Sequence, residues 1–271
     1  MLLAIDIGNT NVVIGCLNEN NETVNLFRMV TDLKKTEDEY AAGIKTILDY
    51  NNMGSEHFEG AIICSVVPPL TDIFRIAVEK IIGCKALVVG AGLKTGLNIA
   101  IENPATLGSD IVAASVAAMA DFELPVIVFD MGTATTITVV DKGNKFIGGA
   151  IVPGVALSMN ALSAGTSLLQ KVPIEAPKGC IHGSTIESMQ SGAVYGNAAM
   201  MDGMIDRFEQ ELGCKASLVA TGGIAAKIVP YCKHEIVYDE NLLLKGLAIL
   251  YKKNKKAYRK QRSILLLCFF C

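Results

Sequence analysis

Residues 2–15 read L-L-A-I-D-I-G-N-T-N-V-V-I-G, and residues 126–139 read V-I-V-F-D-M-G-T-A-T-T-I-T-V. Each stretch has four apolar residues, an Asp, one more apolar residue, a Gly, a small polar run and then a β-rich run. Short apolar runs bounded by turn residues predict buried strands. The offset is 124 residues, nearly half of a chain of 271. A repeat at that spacing predicts duplicated α/β domains facing each other across a cleft, with a ligand where the two equivalent turns converge.

The remaining elements arrange themselves around the two copies. Leu2–Ile5, Val12–Leu17 and Thr23–Val30 read as strands, and Thr36 with Glu39 forms a capping box that opens a helix. Ala61–Val67 reads as a buried strand stopped by Pro68-Pro69, Thr71–Ile82 as a helix and Ala86–Val89 as a short strand. In the second block, Ile111–Ala120, Val155–Leu162, Thr185–Gln210 and Leu242–Tyr251 read as helices. Val126–Phe129, Thr135–Val140 and Leu218–Ala220 read as strands. Gly148-Gly149 and Pro153-Gly154 flank Ala150–Val152 and predict a tight loop leading into a helix N-terminus. That loop is either an anion or substrate site or a plain connecting turn.

Composition narrows the class. The chain is 51% hydrophobic and 19% charged, which excludes a disordered chain and a disulfide mini-protein. Its net charge of −3 is uneven, because Lys252–Arg262 holds seven Lys/Arg and no acid. The remaining 17 basic against 27 acidic groups leave the body at −10, a poor non-specific nucleic-acid binder. The basic stretch reads as a solvated tail. Mean hydropathy is +0.41, yet no run of 18 apolar residues exists, so no membrane span is expected. Asp6 interrupts the apolar start too early for a signal peptide. The eight Cys are scattered, which fits reduced thiols in a cytoplasmic protein. The single C-x-x-C pair, Cys268 and Cys271, lacks the second ligand pair that a zinc site needs.

A strand ending in Asp, then Gly, then Thr in a hairpin suits a phosphate loop. Gly8 and Gly132 admit backbone amides close to an anion, and Thr10, Asn11, Thr133 and Thr135 add polar donors. Asp6 and Asp130 repel phosphate directly, so they make sense through a cation such as Mg²⁺. One D-x-G turn alone is a common capped turn; two in register point to nucleotide binding. Thr221-Gly222-Gly223 follows a predicted strand and either approaches a flat base or ribose or simply turns. Asp110, after a Gly-containing turn and ahead of an apolar helix, is either that helix's N-cap or a general base toward a substrate hydroxyl. His182, near Thr185, reads as a surface or packing residue before a substrate contact.

Taken together, D-I-G-N-T-N, N-P-x-x-L-G-S-D, D-M-G-T-A-T-T, G-G-A-I-V-P-G, G-S-T-I-E-S-M-Q-S-G and T-G-G resemble the type III pantothenate kinases, in that family's order and spacing, over residues 1 to about 250. The resemblance implies the acetate-kinase/sugar-kinase/actin superfamily: an α/β fold of two duplicated ribonuclease-H-like, actin-like ATPase domains with mixed sheets facing a central cleft. It places residues 1–112 in the N-terminal half and 113–251 in the C-terminal half, with 252–271 an unassigned basic, then apolar, tail. It implies ATP-dependent phosphorylation of the pantothenate hydroxyl, the first step of coenzyme A synthesis, in a homodimer. By the same resemblance Asp6, Ile7, Gly8, Asn9, Thr10, Asn11, Val12 and Val13 form the first phosphate loop, with Asp6 acting through Mg²⁺. Thr133, Gly222 and Gly223 serve ATP. Asp130 holds a monovalent cation, K⁺ or NH₄⁺. Asp110 is the base, and Gly108, Ser109, Asp110, Ile111 and Thr185 contact pantothenate.

Three positions depart from the family pattern. Ile111 stands where the family has Arg, Ile101 where it often has Tyr, and Leu169-Gln170 where it often has Pro. The first two remove polar groups from the acceptor side, while the ATP side is intact. Two alternatives therefore stand beside the pantothenate kinase: another small-molecule kinase of the superfamily, or a nucleotide-binding regulator with a lost acceptor site.

Overall fold

The computed structural model describes residues 1–268, with side chains as far as Lys255. β1 (Leu2–Ile7), β2 (Asn11–Leu17) and β3 (Thr23–Val30) form an antiparallel meander, followed by α1 (Glu37–Tyr50), β4 (Gly60–Ser65), α2 (Pro68–Ile82) and β5 (Ala86–Val88). β4 and β5 run parallel to β1, so the sheet is ordered β3-β2-β1-β4-β5. β6 (Asn98–Ile99) and α3 (Ser109–Asp121) lead to the second copy: β7 (Val126–Met131), β8 (Ala134–Val140), β9 (Lys145–Pro153), α4 (Val155–Gly165), α5 (Thr185–Leu212), β10 (Ser217–Thr221), α6 (Ala225–Ile228) and β11 (Val237–Tyr238). Its sheet, β11-β10-β7-β8-β9-β6, is the first sheet's order with β6 added at one edge. α7 (Leu242–Cys268) ends the described chain.

The repeat survives in detail. In β1 and β7 alike every residue is buried except the Asp, which is half-buried. The second strand of each copy carries a bulge at its far end, at Cys16/Leu17 and at Val139/Val140. One difference was hidden by the constant sequence offset. Leu2 corresponds to Val126 but Asn11 to Ala134, because the second turn is one residue shorter; Asp6 faces Val13, whereas Asp130 faces Thr136.

Two compact units result. The first comprises Met1–Leu97, Asn103–Ala117 and the chain from Asn241 onward; the second comprises Asn98–Glu102 and Ala118–Glu240. In the first, Thr36 and Glu39 make the expected capping box, and the Tyr40 and Phe74 rings pack 4.2 Å apart at the centre of the core. The Tyr40 hydroxyl is satisfied by Asp32, donating to its carbonyl and accepting its N–H, each at 2.9 Å. In the second, Ile127, Phe129, Ile137, Met201 and Ile205 centre a separate core.

Three expectations are corrected. Gly148–Pro153 is not a loop but the end of β9, paired with β8 through Val152 opposite Thr135. The helix starting at Leu242, expected with the second half, packs on β1 and β4 of the first unit. The start of the basic stretch is exposed at Lys252 and Lys253 but is no free tail. Lys252 and Lys253 donate to the carbonyls of Glu19 and Thr95, each at 2.7 Å, Lys255 pairs with Glu59, and buried Asn254 holds the backbone of Lys94 from both sides. The Cys268/Cys271 pair lies outside the described side chains. In α3, Val112–Ala118 is buried within the chain.

α7 lies against α3 at Gly246, where a Cβ would overlap the Ala113 carbonyl. Backbone against backbone leaves neither side room to yield. Gly246→Ala is therefore expected to cost about 2–3 kcal/mol of stability, read from the midpoint of a urea titration. An unchanged midpoint would mean that α7 does not seat α3 in this way.

Candidate active site

The first turn is closed by the Gly8 N–H, which donates to the Asn11 carbonyl at 3.0 Å. Within the expected phosphate loop the residues divide by their burial. Ile7 and Val12 face each other and sit in the core, Val13 is half-buried, and Asn9, Thr10 and Asn11 are exposed. Only the last three present polar side chains to a ligand. Thr31, one residue past β3, braces the turn. Its Oγ1 donates to the Gly8 carbonyl at 2.6 Å, and its N–H to the Thr10 carbonyl at 3.1 Å. The sequence reading missed Thr31, which is brought there only by the pairing of Asn11 with Val30.

The second turn is closed in the same way, Gly132 N–H to Ala134 carbonyl at 3.1 Å, and Thr133 is exposed on it. Thr135 is fully buried, and its hydroxyl has no hydrogen-bond partner among the described residues. Two further segments of this unit converge on the turn. Thr221 is the register partner of Asp130, and at Gly222 (φ +95°) a Cβ would come 2.7 Å from the Met131 carbonyl. Gly154 donates its N–H to the Thr133 carbonyl at 3.2 Å and opens α4. Asp130, Thr133, Gly222 and the α4 N-terminus thus share one corner of the unit. α4 has no side-chain cap. Helix N-terminal amides and small-residue backbone are suited to oxygen anions.

Asp110 lies in the first turn of α3, beside the end of β4. It is not the N-cap, because the helix already includes Ser109, and Gly108 accepts the Val112 N–H at 3.1 Å. Its Oδ1 instead takes the adjacent Ile111 N–H at 2.8 Å. Burial is the leading influence on the carboxyl and raises its pKa above the usual carboxylate range; the Ile111 N–H opposes this. A carboxyl that is partly desolvated and higher in pKa than usual is suited to accept a proton. Ser109 turns its hydroxyl to the β4 end, donating to the Ser65 carbonyl at 2.9 Å.

Thr185 belongs to the second unit. It starts α5 and lines a groove of about 550 Å³ between α4 and α5, with Ser158, Met159, Leu162, Ser188 and Asn197. His182 holds the Gly179 carbonyl at 2.6 Å, a packing role. Among the described residues no three His, Cys, Asp or Glu side chains are placed to bind a metal by themselves.

Residues 2–207 match the profile of the family described as type III pantothenate kinase. The chain belongs to the type III pantothenate kinase family. Its relatives of that name include one from Brevibacillus brevis, 41% identical over 255 residues, and one from Exiguobacterium, 38% identical over 256, each match covering 94% of this chain and all of the relative. Similar solved structures are the conserved putative Baf family transcriptional activator from Campylobacter jejuni (TM-score 0.58, 20% identity, 94% of this chain and 99% of that one) and the activator of 2-hydroxyisocaproyl-CoA dehydratase from Clostridium difficile with bound ADPNP (TM-score 0.57, 11% identity, 97% of each). At those identities they speak for the fold alone, the actin-like duplication. For a type III pantothenate kinase the departure at Ile111 is next to the proposed base, and Ile111 itself is half-buried.

A Cβ at residue 108 would overlap Oδ1 of Asp110, the movable end of a side chain. Gly108→Ala is expected to displace that carboxylate. Thermal stability should then stay near wild type while turnover falls about tenfold or more, the scale of a misplaced reacting group. Wild-type turnover in Gly108→Ala would show that the observed carboxylate position is not the working one.

Proposed function

We propose that this chain transfers the γ-phosphoryl group of ATP to the hydroxyl of pantothenate, giving 4'-phosphopantothenate, and that Asp110 is the base. The observation that carries the role of Asp110 is its placement: a half-buried carboxylate in the first turn of α3, close to the strand end that carries Cys64, whose pKa is raised by burial. Its oxygen takes the proton as the hydroxyl attacks phosphorus. The Asn9–Asn11 turn and its amides serve the phosphates, Thr133 with the first turn of α4 serves the nucleotide in the second unit, and Gly223, beside which a Cβ would meet open space, leaves room for ribose or base. A divalent cation, Mg²⁺, bridging Asp6 to the phosphates would neutralise their charge. Asp6 alone cannot form its coordination shell, which fits an ion brought in with the nucleotide. Asp130, at the equivalent strand end, is assigned to a monovalent cation, K⁺ or NH₄⁺.

We infer a homodimer from the same unit that carries Thr185, where Leu157, Leu162, Leu168, Ile181 and Ile186 are exposed. Six free cysteines among the described residues support a reducing compartment, the cytoplasm. No helix of the described residues is long and apolar enough to cross a membrane. No role for nucleic acid is assigned.

The test is ADP release with and without pantothenate, with Mg²⁺ and with K⁺ or Na⁺ as the only monovalent cation. Pantothenate-dependent release that rises with K⁺ is expected. Asp110→Asn should lose most of kcat while ATP binding is kept. The base must be ionised, so kcat should fall as pH drops through its raised pKa, placing the acid limb above that of an exposed carboxylate. Activity surviving in Asp110→Asn would refute the assignment of the base.

Ile111 favours a weaker hold on the pantothenate carboxylate, because an alkyl side chain offers no donor. Ile111→Arg is expected to lower the KM for pantothenate by about tenfold, the worth of one charge-assisted hydrogen bond, with the KM for ATP unchanged. An unchanged pantothenate KM would place the acceptor's carboxylate elsewhere.

A further inference from the structure

Ser109 begins α3 one residue ahead of Asp110, and its hydroxyl is fully engaged. Oγ donates to the Ser65 carbonyl at 2.9 Å and accepts the Ser65 N–H at 3.1 Å and the Cys64 thiol at 3.2 Å. A hydroxyl has one proton and two acceptor lone pairs. All are taken, and none remains for a ligand. The partners lie where they matter. Cys64 is the register partner of Asp6, and Ser65 of Ile7. Just beyond them the Val66 N–H donates to the Ile7 carbonyl at 3.1 Å. One side chain therefore ties the helical turn that carries Asp110 to the strand end beside the first phosphate turn. The Ser65 hydroxyl cannot replace it, because it is occupied locally by the Val67 N–H at 3.1 Å and the Thr71 hydroxyl at 2.9 Å. All these groups belong to the first unit.

We propose that Ser109 is a positioning residue for phosphoryl transfer, and not the pantothenate contact that the resemblance implies: its hydroxyl holds Asp110 at a fixed distance from Asp6. The proposal rests on the reading of Asp110 as the base. A base must sit within hydrogen-bond reach of the proton it takes. Without the three bonds, the N-terminal end of α3 loses its side-chain hydrogen bonds to β4, and packing from Val112 onward is left to seat the helix. A shift of about 1 Å there is enough to cost up to about a hundredfold in turnover.

The test is steady-state kinetics of the full chain, with ATP and pantothenate varied in turn, on Ser109→Ala, Ser109→Thr, Cys64→Ala and Asp110→Asn. Ser109→Ala is expected to lower kcat about tenfold or more while both KM values stay within about twofold. Ser109→Thr, which keeps the hydroxyl, should recover kcat to within about threefold of wild type. A Thr variant as slow as the Ala variant overturns the proposal. So does a Ser109→Ala variant with wild-type kcat and a raised pantothenate KM, since that pattern marks a substrate contact. If Ser109→Ala does not fold, Cys64→Ala decides. It removes one of the three bonds together with the thiol's hydrogen bond to Asp6, so kcat should fall about threefold or more while the pantothenate KM stays unchanged; unchanged kcat overturns the proposal. Asp110→Asn separates the two levels. If it is inactive while Ser109→Ala turns over normally, only the positioning role falls. If it is fully active, the reading of the base falls as well.

Discussion

One backbone hydrogen bond, from Gly8 to the Asn11 carbonyl, closes the hairpin at the end of β1, and its counterpart from Gly132 to Ala134 does the same after β7. The closures constrain everything around them. Because β1 pairs with β2 on one side and β4 on the other, the register that buries Ile5 and Ile7 also fixes Asp6 between Val13 and Cys64. A slip of one residue would send Asp6 to the face that Leu3, Ile5 and Ile7 bury. The Asp is thus held at the strand end by the burial of its neighbours, and the turn beyond it is left polar and exposed.

The two turns differ by one residue, and the difference divides them physically. The longer one carries Asn9, Thr10 and Asn11 outward and needs Thr31 to brace it. The shorter one exposes Thr133 and is instead backed by Gly154 and Gly222, whose missing side chains let β9, α4 and the segment after β10 close on it. A duplicated frame has become two unlike sites through one deletion and two glycines.

This history decides what the sequence could reveal. Strands β1 and β7 were legible because burial on both faces demands unbroken apolar runs, and the Thr36/Glu39 box because capping is local. β9 was misread because Gly148, Gly149 and Pro153 are turn formers in isolation, yet in the sheet they meet β8 across a bulged ladder. The C-terminal lysines were read as solvated, and Lys252 and Lys253 are exposed, but their anchoring was not legible because their partners, Glu19, Thr95 and Glu59, are more than 150 residues away in sequence. Thr31 and the Ser109 hydroxyl had no local signal at all. Each is defined by a strand pairing. Asp110 was recognised by its motif, but that Gly108 and not Asp110 is the N-cap needed the helix start to be seen.

The apolar residue beside Asp110 follows the same electrostatic logic from the other direction. A cation next to a carboxylate favours its charged form and lowers its pKa; burial does the reverse. With Ile at position 111, burial remains the leading influence, and the carboxyl stays above its usual range. A base of higher pKa, still ionised at working pH, accepts a proton with more driving force. The same substitution removes a fork of donors that could anchor an anionic acceptor. Proton affinity and substrate hold are therefore set in opposite senses by one side chain. Affinity for an anionic acceptor then has to come from groups other than the side chain at position 111.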